Sequence, residues 1–424
     1  MNLAIGLSLL ILIAFAVPIA VSIGLSALFG IHFFSTMPLL VSAQRMFVGL
    51  DNYPLMAIPF FILAGNLMSA GGISRRLVDL AKSMIGGIQG GLACSCVLTC
   101  MIFASVSGSS VATTFAIGAI LIPAMVRHHY PPPLAASIQA SSAELGVLIP
   151  PSIPLILYGV STETSIGQLF IAGIGPGLLF GLAMILFIWA MCKVRGYGLE
   201  DGGDRLPFLL ALRRSWVALL MPVIVIGGIY GGVFTPTEAS AVAVFFALFV
   251  GGVVYRELSF KALWPVLVDS VKGTTAIMLI ISAAALFSFL ISRTGLPAEI
   301  AAWVTGTFDS KVAFLIAVNV LLLLVGMFIE TSAAILVLAP ILAPIAIAYG
   351  VDPVHFGLII VVNLAIGMFT PPLGVNLFAA CAVAKLPLER MIPWLLQFLV
   401  VAVMCLVLVT YLPWISLGLR DLLY

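Results

Sequence analysis

Long apolar runs without strand-like alternation constrain this chain more than any other feature. Leu3–Leu28, Val217–Tyr230 and Phe398–Leu412 are examples. Inside lipid only helices and closed barrels satisfy every backbone group, and a barrel strand alternates apolar and polar residues over about ten positions. A spanning helix needs about 20 apolar residues, so we predict an all-α polytopic membrane protein with roughly ten to twelve apolar segments. The first run lacks the basic start of a signal peptide, which predicts a retained span.

The composition excludes a water-soluble chain. Only 8% of the 424 residues are charged and 63% are hydrophobic, whereas soluble domains have about 25% charged residues. A disordered chain would need low hydrophobicity and high charge. The near-neutral net charge of +2 argues against a nucleic-acid partner, which would require a basic face or stripe. We therefore expect the lipid bilayer as the surroundings and no nucleic-acid partner.

Two polar stretches stand out. The stretch 193–215 lies near the middle of the chain and carries five basic residues, and the positive-inside rule places it in the cytoplasm. The stretch from Arg75 to Lys82 is amphipathic, which predicts an interfacial helix that braces the membrane helices. The six cysteines lie in or beside apolar runs without zinc-like spacing, so we interpret them as packing residues.

The chain contains an internal repeat. Residues 145–151 (Leu-Gly-Val-Leu-Ile-Pro-Pro) align with 366–372 (Ile-Gly-Met-Phe-Thr-Pro-Pro), an offset of 221 positions, 367 minus 146. The same offset aligns 120–123 with 341–344, since 344 minus 123 is also 221. It also carries Ser109-Ser110 onto Glu330-Thr331. Matched prolines at one offset indicate two related halves.

Each half has the same order of features. A short apolar segment interrupted by small polar residues comes first, at 105–110 and at 326–332. A span broken by Gly-x-x-x-Pro-Pro follows, and a helix cannot run unperturbed through two prolines. We predict two re-entrant hairpins and two broken helices. Breaks at corresponding positions of two halves are the best sequence indication of a secondary transporter's binding site.

Such breaks expose backbone groups that can bind ions and anions. Unwound carbonyls and Ser or Thr hydroxyls suit a dehydrated Na⁺, and half-helix N-termini favour anions. The candidate Na⁺ ligands share positions at a hairpin or a break: Ser107, Gly108, Ser110, Gly146, Ile149, Pro150, Gly326, Thr331, Gly367, Thr370 and Pro371. The candidate substrate contacts are Ser109, Pro151, Ser332 and Asn376. Isolated kinks also serve packing alone, which is the alternative for any single break.

Several motifs resemble a known family. The sequences at 57–69, 107–114, 149–153 and 234–239 are similar to the large membrane subunit of TRAP transporters, the tripartite ATP-independent periplasmic transporters. The resemblance covers essentially the whole chain. It implies Na⁺-driven import of an organic acid across the bacterial cytoplasmic (inner) membrane, with a small four-helix membrane subunit and a periplasmic substrate-binding protein as partners.

The resemblance also implies an architecture. Inverted repeats would form a transport domain that moves elevator-fashion against a scaffold, with two Na⁺ sites at hairpin tips and facing broken helices. The expected segments are first-repeat scaffold helices with an interfacial arm at 1–91, the first transport-domain unit at 92–192, a cytoplasmic connection at 193–215, second-repeat scaffold helices at 216–311, and the second transport-domain unit with a C-terminal helix at 312–424. No bundle follows Tyr424, so we expect a form not fused to the small subunit.

Individual polar residues allow structural interpretations as well. Thr235 to Glu238 predicts a capping box, and Asp352 an N-cap. Glu144 and Glu330 would carry a proton, balance a Na⁺ or form an interfacial salt bridge. Asn376 suits substrate binding or a contact between helices equally well.

Other functions lack their motifs. No Gly-x-x-x-x-Gly-Lys-Ser/Thr occurs, which argues against a nucleotide-driven pump. The four histidines are scattered without acidic partners nearby, so we do not expect an enzyme. The resemblance also implies a fold similar to that of the wider ion-transporter superfamily, and the alternative function is a single-component sodium/dicarboxylate symporter of that superfamily. C4-dicarboxylates, sialic acid and related carboxylates all remain open as substrates.

Overall fold

A computed structural model describes residues 2–199 and 206–423 of the chain, and every element within these ranges is a helix. This confirms the all-α expectation. The helices up to the connection are α1 (Asn2–Ala14), α2 (Ile19–Phe34), α3 (Leu40–Val48), α4 (Ala57–Ala70), α5 (Ile73–Ile85), α6 (Gly91–Ser107), α7 (Ser110–Arg127), α8 (Pro132–Ser142), α9 (Leu145–Leu148), α10 (Ile153–Thr162) and α11 (Ile166–Arg195). Those after it are α12 (Phe208–Tyr230), α13 (Pro236–Phe249), α14 (Phe260–Arg293), α15 (Leu296–Thr307), α16 (Lys311–Gly326), α17 (Thr331–Ala348), α18 (Pro353–Met368), α19 (Val375–Ala384), α20 (Ile392–Tyr411) and α21 (Trp414–Leu423).

The described helices suit a multi-pass membrane protein. Eight are long and apolar enough to cross a bilayer, and a bent unit formed by Pro132–Leu148 and Ile153–Thr162 makes a ninth. Six further apolar helices have only 10–17 residues and fall short of the length of about 20 that a span needs. The described residues thus form eight or nine units long enough for a full span, together with these shorter apolar helices.

The first apolar run is not the single span expected from the sequence. It divides into α1 and α2, and Pro18 is the residue before α2. Proline lacks a backbone donor and clashes with the preceding turn, so the helix ends before it. Gly24 of α2 packs against Ala283 of α14, which places this helix pair beside the longest helix.

The helix starts follow the predicted capping chemistry. Thr235 and Glu238 form the capping box of α13, with Thr235 N donating to Glu238 Oε2 at 2.8 Å. Asp352 caps α18 through Oδ1, which accepts from Val354 N at 2.8 Å. Its other oxygen accepts from Arg420 on α21 at 2.8 Å, so the C-terminal helix is tied to the start of α18.

The core lies around α18. Every residue from Val354 to Met368 is buried, which is the pattern of a helix surrounded by other helices. Helices α16, α17, α11 and α20 pack against it. The outer helices instead carry large exposed apolar residues such as Trp216, Val271 and Val400. This distribution suits a bundle with a packed interior and a lipid-facing surface.

Helices cover one of the polar stretches and both ends of the other. The Arg75–Lys82 stretch lies within α5, whose apolar face is buried at Leu77, Val78 and Ala81. In the stretch 193–215, α11 extends to Arg195 and α12 begins at Phe208, while residues 200–205 lie outside the described ranges. Helices α6 and α16 begin next to the predicted boundaries at 91 and 311, whereas 192 and 215 fall within α11 and α12.

Candidate substrate and ion site

The first interrupted segment forms a tight turn between two helices. Helix α6 ends at Ser107 and α7 begins at Ser110, and we call residues 107–110 the first turn. Gly108 has φ 61°, a left-handed conformation that glycine adopts without strain. Ser109 caps α7, because its side chain accepts a hydrogen bond from Ala112 N at 3.4 Å. The N-terminus of α7 is therefore fixed at this turn.

The first predicted break is a true interruption of helix. Helix α9 ends at Leu148 and α10 begins at Ile153, and we call residues 149–152 the first break. Ser152 connects its two sides, since its hydroxyl donates to Val147 O at 2.5 Å and accepts from Leu155 N at 3.4 Å. The Pro150–Pro151 peptide bond is cis.

The first turn and the first break contact each other through backbone. Ile153 N donates to Gly108 O at 3.3 Å. A Cβ at Gly108 would lie 2.9 Å from Pro151 O, and one at Gly146 would lie 2.8 Å from Ser109 O. Both glycines are therefore needed for this close approach.

Three oxygen atoms form a triangle at the first turn. Ser107 Oγ lies 2.9 Å from Thr113 Oγ1 and 3.4 Å from Ser109 O, and Thr113 Oγ1 lies 2.8 Å from Ser109 O. An octahedral hard cation with ligands at about 2.4 Å holds neighbouring oxygens about 3.4 Å apart. Two of the three oxygen–oxygen distances are shorter than this, so the oxygens would have to move slightly apart to coordinate a Na⁺. Thr113 was not among the predicted ligands, although it lies in the 107–114 motif.

The second half also has a turn between two helices, where a carboxylate caps the second helix. Helix α16 ends at Gly326 and α17 begins at Thr331, and we call residues 326–331 the second turn. Glu330 caps α17, and its carboxylate accepts from Ser332 N at 2.9 Å and from Ser332 Oγ at 2.9 Å. Glu330 is the repeat counterpart of Ser109 (330 minus 109 is 221). Within the described residues this half-buried carboxylate makes no salt bridge.

The second predicted break separates α18 from α19. We call residues 369–374 the second break. Thr370 closes the end of α18, where its hydroxyl donates to Ile366 O at 2.6 Å. A Cβ at Gly326 would lie 3.1 Å from Gly367 Cα, so the second turn touches the helix just before this break. The Pro371–Pro372 peptide bond is cis.

The two turns meet at Met368. Its sulfur accepts a hydrogen bond from Thr331 Oγ1 at 2.8 Å and one from Ser110 Oγ at 3.7 Å. A cavity of about 50 Å³ lies between the turns. It is lined by Gly108, Ser109, Ser110, Val111, Val147, Ile153, Pro154, Ile277, Glu330, Ser332 and Met368. No sequence signal identified Met368, because an apolar residue in an apolar run is unremarkable.

The cavity combines polar groups with a small volume. The starts of α7, α10 and α17 all contribute residues to its wall, and helix N-termini favour anions. Its volume suffices for a water molecule or an ion but is well below the roughly 300 Å³ of small-molecule pockets. A larger substrate would require the two turns to separate.

Some predicted site residues make other contacts. Ile149 and Pro150 pack their side chains against α11, where a Cβ at Gly177 would lie 2.5 Å from Ile149 Cγ1 and one at Gly173 would lie 3.5 Å from Pro150 Cγ. Only their backbone groups would remain for a ligand. Pro371 is not among the residues that line the cavity between the turns.

Asn376 is engaged by Glu144, a contact that links α19 to the helices before the first break. Asn376 Nδ2 donates to Glu144 Oε1, and both residues are fully buried. Glu144 Oε2 and Asn376 Oδ1 have no hydrogen-bond partner within the described residues. The two residues are 232 positions apart, so no local pattern predicted the pair.

Comparison with known proteins agrees with this architecture. The family model for the "Tripartite ATP-independent periplasmic transporter, DctM component" matches residues 7–415. The chain is 45% identical to the C4-dicarboxylate TRAP transporter large permease protein DctM of Pseudomonas aeruginosa, over 94% of each chain. It is 46% identical to the isethionate TRAP transporter permease protein DctMQ of Oleidesulfovibrio alaskensis, over 94% of this chain but only 63% of that protein.

A solved structure shares the fold. The Alcanivorax borkumensis YdaH transporter aligns with 98% of this chain and 99% of its own chain, with a TM-score of 0.69 and 17% sequence identity. The apolar helices of the described residues and the family match are those of a multi-pass membrane transporter. The chain belongs to the DctM family, the large membrane subunit of TRAP transporters. Its relatives carry the names of permeases, which agrees with the expectation that the chain is not an enzyme.

Proposed function

We propose that this chain imports a small organic acid by Na⁺-coupled secondary transport. The observation that carries the proposal is the first turn, where the oxygens of Ser107, Ser109 and Thr113 lie within 3.4 Å of one another and three helix N-termini reach the adjacent cavity. A cation site beside an anion site suits the joint movement of Na⁺ and a carboxylate. The relatives named for C4-dicarboxylate and for isethionate transport support an organic anion as the substrate.

Two Na⁺ sites are proposed, one in each half. In the first half, Ser107, Ser109 and Thr113 supply the oxygens, and the backbone of Gly146 lies against Ser109 and Thr113. The backbone of Gly108, Ile149 and Pro150 and the hydroxyl of Ser110 remain further candidate ligands.

In the second half, Thr331 and Thr370 are the candidate hydroxyl ligands, with Gly326, Gly367 and Pro371 as backbone candidates. Here the hydroxyl of Thr331 donates to Met368 and that of Thr370 to Ile366 O. Both hydroxyls would have to turn toward the ion. The first site is therefore the better formed of the two.

The substrate would bind between the two turns. Ser109 and Ser332 line this cavity, and the three helix N-termini there would attract a carboxylate. Pro151 O lies next to the first turn. Glu330 brings a negative charge to the same wall, which would favour entry of the anion only together with a cation.

The proposed transport movement follows from the repeat. Helices α6 and α7, the pair α8 and α9, and α10 match α16, α17, α18 and α19 in order, and α7 and α17 both have 18 residues. We take these units as inverted repeats that form a transport domain, which would move elevator-fashion against a scaffold that includes α4, α12, α13 and α14. The connection between α11 and α12 would face the cytoplasm, in a bacterial inner membrane.

The proposed system has three components. The family name denotes a tripartite transporter, so a small four-helix membrane subunit and a periplasmic substrate-binding protein would act with this chain. The alternative is a single-component symporter, which would take its substrate directly from solution.

Reconstitution into proteoliposomes tests the proposal. We expect uptake of a labelled C4-dicarboxylate or isethionate only with all three components and an inward Na⁺ gradient, with vesicles in K⁺ at equal ionic strength as the control. Uptake that is unchanged in K⁺ would contradict Na⁺ coupling. Uptake by this chain alone would establish the single-component alternative.

A further inference from the structure

A basic cleft lies between α5, the start of α12 and the segment between α13 and α14, and none of its lining residues belongs to the two turns. It has a volume of about 400 Å³. The cleft is lined by Arg75, Arg76, Asp79, Arg213, Arg214, Trp216, Val217, Val254, Tyr255 and Glu257. The residues come from α5, from the first turns of α12 and from the segment between α13 and α14.

One arginine of the cleft is already paired. Arg76 forms a salt bridge with Glu257 at 2.7 Å and lies 3.6 Å over the ring of Tyr255. Tyr255 in turn donates from its hydroxyl to Arg214 O at 3.2 Å. These contacts join α5, α12 and the segment after α13 around the cleft, so its walls are built and held in place.

Three other arginines supply an excess of positive charge. Arg75, Arg213 and Arg214 make no salt bridge within the described residues. Besides Glu257, the cleft is lined by one other carboxylate, that of the half-buried Asp79. Burial raises the pKa of its carboxyl, and nearby cations including Arg214 act in the opposite direction. With three arginines facing one carboxylate, the cleft keeps a net positive charge.

The cleft also has apolar lining residues. Trp216 is 55% exposed and Val254 is 42% exposed, and both line the cleft together with the arginines. Trp and Tyr are enriched at the level of lipid headgroups, and basic pockets between membrane helices bind anionic headgroups. A free phosphate would use the arginines but not this apolar wall.

We propose that the cleft binds the headgroup of an anionic phospholipid, with the phosphate against Arg75, Arg213 and Arg214 and the start of the acyl chains along Trp216 and Val254. Arginine suits this role because its planar donors match phosphate oxygens. The bound lipid would bridge α5 and α12. Helix α5 also packs on α6, the helix that ends at the first turn. The bound headgroup would therefore stabilise the position of α5 against α6. This inference does not depend on the transported substrate.

Direct lipid binding to the purified full chain tests the proposal. Native mass spectrometry and titration in nanodiscs would compare phosphatidylglycerol, phosphatidylcholine and soluble glycerol phosphate. Phosphatidylglycerol should bind in preference to the other two. Each arginine near an anionic lipid surface contributes about fivefold in affinity, so R213A/R214A should weaken binding about thirtyfold. R75A, on the opposite wall and highly exposed, should weaken it about fivefold.

R127A is the matched control. Arg127 is an exposed arginine at the end of α7 on the same side of the bundle, and it does not line the cleft. R127A should bind phosphatidylglycerol as the unchanged chain does. Equal binding by R213A/R214A and the unchanged chain would overturn the proposal. Binding of phosphatidylcholine or soluble glycerol phosphate as tight as that of phosphatidylglycerol would overturn it too.

Discussion

Gly326 and Gly367 lie backbone to backbone where the second turn meets α18. A Cβ on Gly367 would lie 2.5 Å from Gly326 Cα, a distance that no real side chain tolerates. The contact brings the end of α16 against the last turn of α18. It therefore fixes the second turn relative to the second break, as Gly146 does for the first pair through Ser109.

G367A should impair both stability and transport. The added methyl group meets backbone atoms that cannot rotate away, and overpacking of this kind costs about 1–3 kcal/mol. G227A is the control, because a Cβ at Gly227 of α12 has no atom within 4 Å. The measurements are the thermal unfolding temperature in detergent and initial uptake in proteoliposomes. Equal results for the two variants would refute a structural role for the contact.

T113V should raise the Na⁺ concentration required for half-maximal uptake. The change keeps the side-chain volume but removes one oxygen of the triangle with Ser107 and Ser109. Loss of a ligand worth about 1 kcal/mol corresponds to roughly a fivefold higher requirement. T113S keeps a hydroxyl at this position and should therefore have the Na⁺ requirement of the unchanged chain. T114V is the matched control, since the hydroxyl of Thr114 donates to Ser110 O within α7. The same Na⁺ titration for T113V and T114V would remove Thr113 from the ion site.

R420A should destabilise the C-terminal helix in a pH-dependent way. Burial by itself raises the pKa of Asp352, but the hydrogen bond from Arg420 and those from two backbone N–H groups outweigh it, so the pKa is lowered from 3.8. A lowered carboxyl pKa contributes stability that is present above the unfolded value and lost as pH falls through the folded value. The stability difference between R420A and the unchanged chain should be about 1 kcal/mol at pH 7. It should vanish below the folded pKa. Unfolding temperatures measured from pH 7 to pH 3 would show a constant difference if the ion pair were irrelevant.

The sequence predicted the features that depend on local chemistry. Two adjacent prolines interrupt a helix, so the ends of α9 and α18 could be predicted from the proline pairs at 150–151 and 371–372. The capping box at Thr235 followed from the spacing of two side chains. Contacts between residues that are far apart in the sequence have no comparable local sequence pattern. The pair Glu144–Asn376 and the position of Met368 between Ser110 and Thr331 required the three-dimensional structure.

E330S should separate the structural role of Glu330 from its charge. Serine is the residue at the repeat counterpart, Ser109, where it caps α7, so E330S should retain the cap of α17. E330A lacks a capping group and should lose about 1 kcal/mol of stability. Because the carboxylate lines the cavity between the turns, E330S should need a higher Na⁺ concentration for uptake although its unfolding temperature is unchanged. The test is to measure unfolding and Na⁺-dependent uptake for both variants. If E330S transports with the Na⁺ requirement of the unchanged chain, Glu330 serves only as a helix cap.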